Sequence, residues 1–110
     1  MNKKISFNLA VATLSYLALT TFSIPSQAEL NAGKAKYRVC SACHGVQGQG
    51  GIGPALGGKS SEYIVDRLRS YKAGEQIGAQ SALMWGQAAM LTELDIVEIA
   101  EYLETLDENQ

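Results

Sequence analysis

Cys40-Ser41-Ala42-Cys43-His44 is the segment of this chain whose residue types and spacing can do chemistry. Two thiols three residues apart, followed at once by an imidazole, form the C-x-x-C-H signature of c-type haem attachment. The spacing has a physical reason. Thiols so placed reach the two vinyl-bearing edges of one porphyrin and form thioethers, and the histidine then lies under the ring, where it binds iron from the proximal side. Two other readings are weaker. A closed zinc site takes four protein ligands, and two Cys with one His would need a carboxylate from elsewhere. A thioredoxin-like pair belongs beside a βαβ pattern, and no strand-like alternation is present. A disulfide between Cys40 and Cys43 would close too small a loop to restrict the unfolded chain much.

The rest of the composition narrows the setting. A length of 110 residues with a net charge of −2 and 18% charged residues suits one small domain, and neither a basic nucleic-acid binder nor a disordered acidic tail. Lys3 and Lys4 follow Met1, residues 5–24 carry no charge, and Pro25 precedes Ser26-Gln27-Ala28, with small residues at the −3 and −1 positions of a cleavage site. This is the pattern of a secretory signal peptide. The span also has about the 20 residues of a membrane anchor, but Asn8, Thr13, Ser15, Thr20, Thr21 and Ser23 dilute it. Residues 1–28 are therefore expected to be a cleavable leader, and 29–110 a single exported domain with no stable membrane insertion. Removing 28 of 110 residues leaves 82, with 7 basic and 11 acidic side chains and a net charge of −4. A domain of that size has little core of its own and needs a staple.

Three helices are expected. Residues 30–39 place Leu30, Gly33, Tyr37 and Cys40 on one face. Residues 62–72, capped by Ser60 or Ser61, carry Tyr63, Ile64, Leu68 and Tyr71 and end at Gly74. The last helix has Thr92 as N-cap and Asp95 completing a capping box, a buried stripe of Ile96, Ile99, Ala100, Leu103 and Leu106, and Glu93, Glu98, Glu101 and Glu104 toward water. Residues 45–58 hold seven glycines and read as a wrapped loop. Residues 76–90, uncharged and containing Met84, Trp85, Gly86 and Met90, read as a second loop. Loops this long in a small domain need something to wrap around.

Residues 32–106 resemble the small bacterial periplasmic type of class I monohaem cytochrome c. The resemblance is carried by Gly33-x-x-x-Tyr37-x-x-Cys40-x-x-Cys43-His44-Gly45, by Gly53-Pro54-x-Leu56-x-Gly58, by Tyr63, Leu68 and Tyr71-Lys72-x-Gly74, and by Met84, Ala88 and Leu91-Thr92-x-x-Asp95-Ile96. Ala100-x-Tyr102-Leu103-x-x-Leu106 completes it. It implies an all-α fold of three main helices and two long loops around one covalent haem c. It further implies that the Pro54 carbonyl accepts the His44 Nδ1–H, which orients a ligand imidazole, and that Gly33 and Tyr102 mark a close crossing of the first and last helices.

His44 is the only histidine, so bis-His ligation within one chain is excluded. A methionine suits the distal side of an electron-transfer haem. Met90, beside Leu91 and the Thr92 cap, reads as a core or staple residue, whereas Met84 sits mid-loop. The family places its axial Met seven residues before the Leu preceding the last helix, which implies Met84. Two departures stand out. Gly86 replaces the proline common two residues after the ligand, leaving that loop less rigid, and Gln76 replaces an arginine that serves a haem propionate. Lys59 and Arg67 are the other candidates for a propionate; Arg67, Arg69 and Lys72 otherwise read as a solvated face, and Trp85 as a packing residue.

The function implied is one-electron transfer at a partly exposed haem edge, without enzymatic activity, to donor and acceptor redox proteins that dock transiently in the periplasm. A cytochrome subunit bound to a dehydrogenase catalytic subunit, oxidising a sulfur compound or an alcohol, is the alternative from a second class. A gas-binding sensor with a labile distal Met is the third.

Overall fold

The computed structural model describes residues 21–107. The expected leader lies, over residues 1–20, outside the described residues. Five helices follow in order: α1 (Gln27–Tyr37), α2 (Ser41–His44), α3 (Ser61–Lys72), α4 (Ser81–Ala89) and α5 (Glu93–Glu104), with no strand among the described residues.

The helix starts are dictated by local chemistry. Ser60 caps α3 by accepting from the Tyr63 amide, and Thr92 and Asp95 form a reciprocal capping box on α5, as their spacing predicts. α1 begins earlier than its apolar pattern suggests, because Ser26 and Glu29 form a second capping box. The main difference lies in residues 76–90. Only the first part is a loop, and the rest is α4. Its Ala, Leu, Met and Gln content favours helix, but its N-cap Gln80 makes no side-chain cap bond, so no start signal marks it in the sequence.

The core forms where α1 and α3 pack on α5, around Tyr37, Ile64, Ile99, Ala100, Tyr102 and Leu103. At the α1–α5 crossing the backbones touch: a Cβ on Gly33 would lie 2.0 Å from the Glu98 carbonyl oxygen and 2.9 Å from Tyr102 Cβ. Glycine alone permits that approach. It brings the Tyr37 and Tyr102 rings to 5.8 Å between centroids at a 50° tilt, a favourable aromatic arrangement.

Glu98 departs from the solvated face expected of α5. It is 8% exposed and, with Asp95, takes the ammonium of Lys36 from α1; the Lys36–Asp95 contact is 2.6 Å. A helix-face pattern cannot register a partner on another helix. The basic face of α3 is likewise engaged, with Arg69 Nε 2.9 Å from Glu93 and Lys72 donating to the Leu91 carbonyl. Both contacts tie α3 to the start of α5.

Two outcomes test this packing. Gly33→Ala is expected to cost about 1–3 kcal/mol, the range for overpacking, whereas Gly86→Ala, with nothing within 4 Å of its Cβ, gains about 0.5–1 kcal/mol of helix propensity; denaturant unfolding of the haem-loaded protein measures both. The Asp95 carboxyl is held down from 3.8 to about 2, first by Lys36 and then by Thr92. Its contribution to stability is thus complete above 3.8 and lost as pH falls through about 2. Asp95→Asn should flatten the stability profile in that window, read from unfolding midpoints.

Candidate haem site

α2 is a single turn built on the C-x-x-C-H segment, with the Cys43 and His44 amides donating to the Cys40 carbonyl at 3.1 and 3.0 Å. This turn places both thiols and the imidazole on one wall. Cys40 is half-buried and Cys43 exposed, and the two form no disulfide. Burial, the largest influence, pushes the Cys40 thiol up, and the neighbouring Cys43 adds to the shift.

His44 is 6% exposed, and its Nδ1 lies 2.8 Å from the Pro54 carbonyl oxygen. A carbonyl can only accept, so Nδ1 carries the hydrogen and Nε2 keeps a lone pair. The ring is pressed against Gly53, where an added Cβ would fall 2.6 Å from His44 Cε1. The glycine loop holds this geometry by returning to the turn it left: Gly50 N donates to the His44 carbonyl (2.7 Å) and Gly53 N to the Cys43 carbonyl (2.9 Å). The far end of the loop is tied to the core, with Gly58 N donating to the Leu103 carbonyl at 3.0 Å. On the other side, the Tyr37 hydroxyl donates to the Gly45 carbonyl at 2.8 Å. Tyr37 is 2% exposed, and burial raises its phenol to about 12, so this bond persists through the physiological range.

Cys40, Cys43, His44, Pro54 and Met84 all line one cavity of about 460 Å³, within the range of cofactor sites. Its wall also takes in Tyr71 from α3 and Ser81 from α4. A smaller apolar cavity of about 270 Å³ shares Cys40 and Met84 and adds Leu68 and Leu91. The donor set suits a covalently held porphyrin: two thiols on a turn, an imidazole presenting a lone pair, a thioether, and apolar walls.

Met84 is carried by α4, not by a loop as its uncharged surroundings suggest. It is half-buried and borders both cavities. Met90 is 72% exposed and borders only the smaller one, apart from His44, so its reading as a core residue does not hold. Gly86 is an exposed helix position rather than a weak loop. Trp85 is half-buried, and beyond packing its indole N–H donates to the Glu75 carbonyl at 2.8 Å, a bond with no signal in the sequence. Arg67 lies with its guanidinium 5.2 Å from the Tyr63 ring centroid and its Nε buried without a protein acceptor. It borders neither cavity.

The cytochrome c family profile matches residues 30–107, which span the C-x-x-C-H turn, the glycine loop and α3 to α5. The chain belongs to the cytochrome c family. It carries covalently bound haem c and is an electron carrier that works with redox protein partners. It is 41% identical over 73 residues to cytochrome c-554(548) of Halomonas halodenitrificans, an alignment covering 64% of this chain and 88% of that one. To cytochrome c-554(547) of Halothiobacillus neapolitanus it is 39% identical over 85 residues, covering 68% and 93%. The crystal structure of reduced recombinant cytochrome c4 from Pseudomonas stutzeri superposes with a TM-score of 0.68 at 25% identity, over 74% of this chain and 50% of that one. This cytochrome therefore spans about half the length of that c4 chain.

Gly53→Ala tests the proximal wall. The added methyl group must displace the His44 ring from the Pro54 carbonyl, so the haem-loaded variant is expected to show a weakened or heterogeneous proximal ligand field by electron paramagnetic resonance. An unchanged spectrum would mean the ring is held by something else.

Proposed function

We propose that this cytochrome is a periplasmic one-electron carrier whose haem is attached through Cys40 and Cys43 and ligated by His44 and Met84. The observation that carries the reading is the shared cavity: of the two methionines beyond the leader, only Met84 borders the same space as His44. Haem c supplies a one-electron couple between ferric and ferrous iron. The chain's own residues do the rest. Cys40 and Cys43 would hold the porphyrin to the α2 turn, Pro54 keeps the His44 hydrogen on Nδ1 so that Nε2 is free to bind the iron, and Met84 would supply the second ligand from the other wall of the cavity. Iron held by two side chains would be left with outer-sphere electron transfer as its chemistry.

Docking falls to the cavity mouth, where Val39, Ile52 and Leu83 stand 68%, 74% and 65% exposed. An apolar rim of this kind suits the small, transient interfaces of redox encounters. The net charge of −4 expected without the leader favours partners with a neutral or basic face, and association that slows as salt rises. Among the described residues no helix is long and apolar enough to cross a membrane. Support for the leader comes from Phe22 and Ile24, 96% and 87% exposed just before the cleavage site. Cleavage after Ala28 also removes Ser26 and with it the capping box of α1.

The deciding experiment is co-expression with the periplasmic haem-attachment machinery, followed by intact mass and visible spectroscopy. The expected mass is that of residues 29–110 plus one haem. Met84→Ala should abolish the low-spin His/Met spectrum and lower the midpoint potential, while Met90→Ala leaves both unchanged. The opposite pattern would assign the distal ligand to Met90, and a product without the haem increment would sink the attachment itself.

A further inference from the structure

The position of Met84 depends on the rotation of α4 about its own axis, and a nine-residue helix does not fix its rotation by itself. Ser81, Met84, Trp85 and Ala88 share one face at i, i+3, i+4 and i+7. Ser81 and Ala88 are 3% and 0% exposed. The Ser81 hydroxyl accepts from the Ile77 and Gly78 amides at 2.9 and 2.8 Å, which ties the first turn of α4 to the connection from α3. One turn further on, Trp85 Nε1–H reaches the Glu75 carbonyl at 2.8 Å. Glu75 is in turn anchored to α3, its amide donating to the Ser70 carbonyl at 3.0 Å. Gly86 contributes no packing atom, and nothing lies within 4 Å of where its Cβ would be.

We infer that Trp85 is a positioning residue for the distal ligand: its bond to the Glu75 carbonyl fixes the rotation of α4 and holds Met84 toward the His44 cavity. This rests on the proposed ligation by Met84. The connection from α3 thus braces α4 through a hydrogen bond from the residue next to Met84. Rotating α4 so as to withdraw Met84 would break that bond first, since Trp85 adjoins Met84 on the same helix face.

The test is displacement of the distal ligand by imidazole in the ferric, haem-loaded protein, followed by loss of the Met–Fe(III) charge-transfer band. Trp85→Phe keeps a ring and deletes the donor, and the apparent imidazole affinity is expected to rise about fivefold, the equivalent of one neutral hydrogen bond. Leu106→Ala, which loosens the core at the far end of α5, serves as the control for general destabilisation and is expected to leave that affinity unchanged. An unaltered affinity in Trp85→Phe overturns the inference, as does an equal rise in Leu106→Ala. Met84→Ala separates the two levels. If the band survives in it, the ligation reading fails and the inference with it; if the band is lost while Trp85→Phe binds imidazole like the parent, only the brace fails.

Discussion

The contact between the α1 and α5 backbones at Gly33 is the constraint from which the haem-binding wall is built. With no Cβ at Gly33, the helix can lie on the Glu98 carbonyl and the Tyr102 side chain, which brings Tyr37 into the core beside Tyr102. The buried Tyr37 hydroxyl then holds the Gly45 carbonyl, and Gly45 directly follows His44. A helix crossing is thereby converted into the position of an imidazole through one ring pair and one hydrogen bond. The Lys36 ammonium between Asp95 and Glu98 closes the same crossing from the side. Removing one partner would leave a largely buried Glu98 carboxylate without its counter-charge, the costly way to break such a cluster.

The two sides of the site are held by different means. On the proximal side, irregular backbone does the work: the glycine loop returns to the α2 turn and offers the Pro54 carbonyl to His44. On the opposite wall a helix does it: α4 carries Met84, and Ser81 and Trp85 tie that helix to the connection from α3. An electron carrier needs a haem pocket that keeps its shape as the iron changes oxidation state, and walls tied to the core through α3 and α5 supply that rigidity.

Much of this was legible in the residues, and the reasons differ by element. The Thr92–Asp95 box and the Ser60 cap act over three residues, so spacing in the chain is spacing in space. Gly33 was readable as a crossing because Tyr37 and Tyr102 stand ready on both helices. Nothing marks α4 in the chain, because it has neither a capping side chain nor a charged face and its uncharged run resembles a loop. The helix-face position of Glu98 suggests water, while the partner that draws it inward, Lys36, lies on another helix.

Read alone, the sequence determined the covalent chemistry of this cytochrome, since two thiols and an imidazole within five consecutive residues keep their relation in almost any compact fold. It also holds a single histidine, His44, directly after the second thiol. Which methionine shares a cavity with that histidine is decided by the tertiary structure. Met84 and Met90 are both uncharged and close to α5, and their places in the chain suggest different roles without showing which of them faces His44. Only the docking of α4 on α3, with Ser81 and Trp85 bound to the connection between them, turns Met84 toward the cavity of His44 and leaves Met90 outside it.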